Sequence, residues 1–184
     1  KQKIFGICQG GLHLDVRKKS AQFIDSLDFD GVAIGGLALG EGHAKMVKAM
    51  QTSIKELDDS KIRYLMGVGN PADIVEAVGA GVDCFDSAYH TQNARHGTLF
   101  TSKGKIRIKN AAFRTDSKAL DKDCDCYVCK NFSRAFLSYQ MRMNEPTGYR
   151  LCSYHNLYFM QRLMDSIREG IEKGSFEKVR KDIG

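Results

Sequence analysis

Three cysteines crowd into the segment Asp123-Cys124-Asp125-Cys126-Tyr127-Val128-Cys129. A Cys-x-Cys-x-x-Cys run is too tight to fold back on itself as good disulfides, but it can turn three thiolates toward one tetrahedral ion. Such an ion needs a fourth ligand. His155, in Cys152-Ser153-Tyr154-His155-Asn156, follows Cys129 by 26 residues and is the candidate. Ser153 reads as an N-cap that places His155 in the first turn of a long helix. Four protein ligands leave no position open for water, so Cys124, Cys126, Cys129 and His155 predict a structural zinc (Zn2+) site rather than a catalytic one. A reduced cysteine cluster beside a helix-capping histidine is the competing reading, and the ligand count favours the metal. Cys8 and Cys84 sit in apolar, strand-like runs and are expected to pack as small hydrophobes. Cys152 lies outside the spacing.

A second group of chemically useful residues follows four apolar runs. These are Gln9-Gly10-Gly11, then Gly35-Gly36-Leu37-Ala38-Leu39-Gly40-Glu41, then Met66-Gly67-Val68-Gly69, and finally Asp86. Glycines at such points let a flat ligand approach backbone amides. Gln9 offers a donor and an acceptor, which suits the edge of a nucleobase. Met66 suits the face of an aromatic ring. Asp86 suits a carboxylate nucleophile at a sugar carbon. Each also has a plainer reading: glycine turns after strands are ordinary, and a strand-end aspartate can cap a helix or pair with Arg95.

The elements that must position these residues alternate. Strands are predicted at Lys3–Cys8, Gly31–Ile34, Tyr64–Val68 and Val82–Phe85. Helices are predicted at Leu14–Leu27, Ala44–Leu57 and Ala72–Val78, the last opened by Pro71 at a tolerated position. The strands are mostly apolar, as strands buried on both faces are. Strand–helix repeats of this length predict an α/β fold with a parallel sheet and right-handed crossovers, whose loops after the strand C-termini build the site. Beyond Asp86 the pattern changes. Thr98–Thr101 and Lys105–Ile108 flank a hairpin turn, and helices are expected near Asn131–Asn144, Ser153–Glu172 and Phe176–Ile183. The predicted division is 1–97 for four βα units, 98–155 for the hairpin and zinc-binding subdomain, and 156–184 for the C-terminal helices.

Composition sets the outer limits. The chain has 184 residues, 42 % of them hydrophobic and 27 % charged, enough for a real core. No apolar run approaches the roughly 20 residues of a membrane span. The opening Lys1-Gln2-Lys3-Ile4-Phe5-Gly6 is not followed by a signal-length apolar stretch, so a cytoplasmic protein with no membrane partner is expected. The net charge of +6 leans toward a polyanionic partner, nucleic acid being the commonest.

Together these motifs resemble the C-terminal half of the bacterial-type tRNA-guanine transglycosylases (queuine tRNA-ribosyltransferases). The matching stretches are Phe5-Gly6-Ile7-Cys8-Gln9-Gly10-Gly11, Ile34-Gly35-Gly36-Leu37-Ala38-Leu39-Gly40-Glu41, Tyr64-Leu65-Met66-Gly67-Val68-Gly69, Phe85-Asp86-Ser87 and Asn93-Ala94-Arg95. The zinc spacing, Ser133-Arg134-Ala135 and His155-Asn156-Leu157 agree as well. The resemblance implies the C-terminal half of a (β/α)8 TIM barrel with an inserted zinc-binding subdomain. It implies an enzyme that exchanges the wobble guanine of tRNA for a 7-deazaguanine base, with Asp86 as nucleophile and no cofactor beyond the structural zinc. Gln9, Gly35, Gly36, Leu37, Ala38, Glu41 and Met66 would then bind the base. The loop Gly67, Val68, Gly69, Asn70, Pro71, Ala72, Asp73 and the loop Thr91, Gln92, Asn93, Ala94, Arg95 would meet the anticodon loop. Leu39, where queuine enzymes of eukaryotes carry glycine, favours aminomethyl-deazaguanine (preQ1). Gln92 departs from the family's arginine and removes one cation from the tRNA contact. The family's first barrel half is a missing partner, without which the chain is expected to be inactive; the full enzyme is expected to be a homodimer. A non-catalytic accessory subunit of the same family and a stand-alone zinc RNA-binding module are the alternatives. Retention of Asp86, Gln9 and Gly36 argues against the accessory subunit.

Overall fold

The computed structural model describes residues 2–38 and 40–183. Leu39, on which the preference for one incoming base rests, lies outside the described residues. The chain divides into two compact units, residues 1–87 with 176–184, and residues 88–175.

The first unit is a four-stranded parallel sheet, β1 (Phe5–Cys8), β2 (Gly31–Ile34), β3 (Ile62–Leu65) and β4 (Cys84–Phe85), in the spatial order β1-β2-β3-β4. Helices α1 (Leu14–Asp25), α2 (His43–Ile54) and α3 (Pro71–Gly79) connect successive strands. When every crossover has the same hand and each strand joins the same growing edge, all the helices fall on one face. Accordingly α1 packs on α2 and α2 on α3. Beneath them lie Ala21, Val32, Ile34, Met46, Met50, Leu65 and Ile74, all buried.

The opposite face is different, and here the sequence expectation of strands buried on both sides is corrected. Only β2 is buried throughout. In β1, Gly6 and Cys8 are on the helix side, whereas Ile7 is 46 % exposed; in β3, Ile62 is 38 % exposed. Cys84 is exposed rather than packed. These residues share the face that the helices do not cover, as the register Ile7↔Ala33↔Tyr64↔Cys84 requires. The third and fourth strands are also shorter than predicted. Val68 and Val82 are buried, but in loops.

Helix α8 (Phe176–Ile183) belongs to this unit. The Phe176 ring would lie 3.3 Å from a Cβ placed at Gly79, and Arg180 pairs with Glu76 at 2.7 Å. Both contacts fix α8 to α3.

The second unit begins with α4 (Tyr89–Arg95), so Thr91–Arg95, expected as a loop, is helical. The hairpin follows as predicted, β5 (Thr98–Thr101) paired antiparallel to β6 (Gly104–Arg107). The helix expected over 131–144 is two helices, α5 (Tyr127–Asn131) and α6 (Arg134–Arg142), because Phe132 is extended. Ser133 restarts the helix, its Oγ accepting from the Phe136 N–H at 3.1 Å. The long helix α7 runs Pro146–Glu172, so it begins before Ser153 and His155 lies within it, not in its first turn. Pro146 opens it, where a missing N–H costs nothing. Gly148 is helical because α6 comes so close. A Cβ there would sit 2.8 Å from Gln140 Cβ.

Candidate functional site

The loops at the C-terminal ends of the four parallel strands bring the expected residues of the first unit together. The Gln9 side chain lies across the two glycines after β2. Added Cβ atoms would stand 2.5 Å from its Nε2 at Gly35 and 2.7 Å from its Oε1 at Gly36, so a side chain at either position would displace the Gln9 amide from this shelf. Gly36 also has φ of 70°, in the left-handed region. Leu37 is buried beneath the shelf, and Ala38 is exposed with its methyl 3.2 Å from the Cβ position of Gly67. Met66 continues from β3, its N–H donating to Ile34 O at 3.2 Å. Glu41 and Met66 are half-buried. His43 Nδ1, at the start of α2, lies 2.5 Å from the Asp73 carboxylate. Asp73 also accepts from Asn70 Nδ2 at 3.2 Å, so the Asn70–Asp73 turn is tied to the segment after Glu41.

Asp86 follows β4 and is exposed. Its Oδ1 accepts two hydrogen bonds, from the Tyr64 hydroxyl at 2.6 Å and from the Gly67 N–H at 3.0 Å. Both favour the ionised form, and they hold the carboxyl below the usual carboxylate range, the Tyr64 bond first. The same bond pushes the Tyr64 hydroxyl up to about 12, so it remains a donor at neutral pH. Ser87 Oγ donates to Gly67 O at 3.0 Å, fixing the peptide that follows the one facing the carboxylate. Sequence reading missed Tyr64. The signal was its place on the uncovered face, in register with Cys84 and therefore one strand away from the residue two positions on. Tyr64→Phe is expected to raise the Asp86 carboxyl, since a donor to the charged form is lost. Carboxyl titration followed by 13C NMR checks this, and an unmoved midpoint would refute it.

In the second unit, Thr91, Gln92, Asn93 and Arg95 are on α4. Gln92 and Arg95 are exposed, Thr91 and Asn93 are half-buried, and Ala94 is fully buried in the core. The earlier segment divides likewise: Val68, Gly69 and Pro71 are buried, while Gly67 is exposed and Asn70, Ala72 and Asp73 are half-buried. The side chain of Asn156, itself fully buried, accepts from Phe100 N–H at 3.0 Å and donates to His90 O and Thr98 O at 3.0 and 3.1 Å. This one amide fastens α4 and β5 to α7.

Next to it, Cys124, Cys126, Cys129 and His155 converge, their ligand atoms all within 4.8 Å of one another. Cys126 caps α5, which swings Cys129 round to the same side. His155 Nδ1 lies 3.5 Å from the Cys126 and Cys129 sulfurs and 4.0 Å from that of Cys124. Its Nε2 meets Phe100 O at 2.7 Å. A carbonyl only accepts, so Nε2 carries the proton and the Nδ1 lone pair faces the sulfurs. The Cys126 thiol is drawn down to about 4, chiefly by a hydrogen bond from the Cys129 thiol, and the same bond pushes Cys129 up. This is a set of soft donors, three of them buried and Cys124 half-buried, and it could hold a metal ion. Ligands about 2.3 Å (sulfur) and 2.0 Å (nitrogen) from a tetrahedral centre stand about 3.5 Å apart, which the separations of Nδ1 from Cys126 and Cys129 match, that from Cys124 being longer at 4.0 Å.

A singly wound parallel sheet with an ionised carboxylate and a glycine shelf at its C-terminal edge, joined to a unit with a Cys3His cluster, defines the class. It is an α/β protein with a parallel sheet and, in its second unit, a Cys3His group that could bind a metal ion. The comparison with known families is specific. Residues 1–183 match the family described as Queuine tRNA-ribosyltransferase. The chain is 46 % identical over 182 residues to a queuine tRNA-ribosyltransferase of Clostridium kluyveri, covering 99 % of this chain and 48 % of that protein. It is 45 % identical to those of Halothermothrix orenii and Idiomarina loihiensis, covering 49 % of each. The chain belongs to this family, and it spans about half the length of the curated relatives it matches. No helix among the described residues is long and apolar enough to cross a membrane.

Proposed function

We propose that this chain is the C-terminal half of a tRNA-guanine transglycosylase and carries its nucleophile. The observation that carries the reading is the Asp86 carboxylate, kept ionised by Tyr64 and Gly67 beside the Gln9–Gly35–Gly36 shelf. Asp86 attacks C1′ of the wobble guanosine, the C1′–N9 bond breaks, and guanine departs with the bonding pair. The ribose is left esterified to Asp86. A 7-deazaguanine base then attacks C1′ through its ring nitrogen, passes that nitrogen's proton through water to the departed guanine, and restores the free carboxylate. Gln9 and the Gly36 amide read the base edge, Leu37 and Ala38 meet its substituent with Glu41 behind them, and Met66 lies on its face. The acidic side chain at Glu41 suits a cationic substituent such as that of preQ1.

The segments Gly67–Asp73 and Thr91–Arg95 contact the tRNA, the exposed Gln92 and Arg95 most directly. Zinc is the ion suited to three thiolates and one imidazole, and with all four positions filled by protein it would hold α5 and α7 together without touching substrate. The uncovered sheet face with Ile7 and Ile62, and the unpaired outer edges of β1 and β4, support a second barrel half that closes against them. The intact enzyme acts in the cytoplasm as a homodimer. An exposed aromatic row, with Phe136 stacked on Phe132 at 5.1 Å and Tyr127 edge-on to Phe132 at 5.7 Å, supports that association.

The reading is tested with the intact gene product and its tRNA. A protein–RNA adduct that survives a denaturing gel, and that disappears with Asp86→Asn, is the expected result. An intact protein that forms no adduct and exchanges no labelled guanine would be the accessory subunit instead.

A further inference from the structure

The exchange chemistry makes no use of Arg17, yet Arg17 is the largest side chain in the protein that is fully buried. A guanidinium does not give up its proton, so this charge must be met by acceptors inside the protein. It is met at three separate points. Nε donates to Gly11 O at 2.9 Å, one terminal nitrogen to Gly35 O at 3.1 Å, and the other to Ser53 Oγ at 3.3 Å. The first acceptor is in the loop after β1, the second in the loop after β2, and the third on α2. Arg17 itself is on α1, whose Ser20 Oγ accepts from the Gln9 N–H at 3.0 Å. Gly10 lies directly over it. A Cβ at Gly10 would come 2.7 Å from the Arg17 backbone.

The bond to Gly35 O has a geometric consequence. In a trans peptide the C=O and the following N–H point in opposite directions. Drawing Gly35 O inward to the buried cation therefore turns the Gly36 N–H outward, to the side where Gln9 crosses the shelf. The positive charge on the carbonyl also polarises that peptide and strengthens its N–H as a donor. We propose that Arg17 is a positioning residue: from behind the sheet it orients and strengthens the Gly36 N–H and locks the Gln9 loop beside it, so that the two meet the same base edge. This rests on the reading that the shelf receives the base. Lysine does not substitute, because one ammonium cannot reach three acceptors that lie in different directions, whereas the planar fork can.

The experiment uses the intact gene product with Arg17→Gln and Arg17→Lys, and Ser53→Ala as control. The expected result is a KM for the free base raised about tenfold or more in both Arg17 variants, with kcat and the tRNA KM within about twofold, as for a lost ground-state contact. Ser53→Ala loosens the same guanidinium from α2 but not from the loops, and leaves the base KM within about twofold. Hydrogen exchange is the second readout. Amides of 9–12 and 35–38 exchange about tenfold faster in the Arg17 variants while α1 and α2 stay protected. Should Arg17→Gln not fold, Arg17→Lys decides both readouts. A wild-type base KM with unchanged loop exchange overturns the inference, as does uniform loss of protection across the first unit. A wild-type protein with no base exchange defeats the functional reading alone, and loop exchange still decides the role of Arg17.

Discussion

Removing the metal is expected to lower the melting temperature of the protein by roughly 10–20 °C, with residues 88–175 opening first. The four ligands come from three places in the chain: the approach to α5, α5 itself, and the middle of α7. Structural zinc in small peptides is worth about 10 kcal/mol or more of folding free energy. Even a third of that, at about 2–4 °C per kcal/mol for a protein of this size, gives a shift of the expected order. His155 is fully buried, and its ring is held at Nε2 by Phe100 O, so it cannot swing out to water when the ion leaves. Chelation followed by calorimetry checks the prediction, alongside a metal assay expected to find one zinc per chain. Cys126→Ala is expected to reproduce the shift. An unchanged melting curve after metal removal would sink the structural assignment. Because the ligands must shed protons to bind, acid is expected to release the ion as the pH falls through the range where imidazole and thiolate recapture them.

The largest kinetic effect is expected at Asp86. Asp86→Asn should lower base exchange by on the order of 10⁴-fold or more, as expected where a covalent nucleophile is lost. The substitution isolates chemistry from structure. The asparagine oxygen still accepts from Tyr64 and Gly67, so the turn after β4 keeps both of its hydrogen bonds. The tRNA dissociation constant should stay within about threefold, since one carboxylate adds nothing attractive to a polyanion. Exchange of labelled guanine, measured beside filter binding of tRNA, separates the two effects. A variant with near-normal exchange would move the nucleophile elsewhere.

The parallel βα order was legible because each unit repeats one grammar: an apolar run, a glycine-bearing turn, then an amphipathic helix. What misled was the equation of hydrophobicity with strand. Val68 and Val82 are buried without being in the sheet, and the apolar Ile7 and Ile62 are in the sheet without being buried. Helix α4 was unreadable because Thr91-Gln92-Asn93 carries no apolar stripe. One buried alanine and the Asn156 amide, which is 66 residues away from His90, hold it. The start of α7 was hidden by Gly148, which reads as a breaker in isolation and is a contact point for α6 in space. At the site, glycines and carboxylates announced themselves through position. Tyr64 and Arg17 did not, because their roles depend on which face of a strand or helix they occupy. The cysteine spacing was read directly, since the chain between Cys124 and Cys129 is too short to place the three thiols far apart.

The return of α8 to α3 has a consequence for how the molecule is made. Arg180 and Glu76 are 104 residues apart, and everything between Ala88 and Ser175 is synthesised before they can meet. On the ribosome the first unit must therefore wait, its last helix absent, while the whole second unit emerges in the interval. The second unit is in effect a long interruption of the first. The time its synthesis takes would set how long the unfinished sheet stays without α8 in the growing chain.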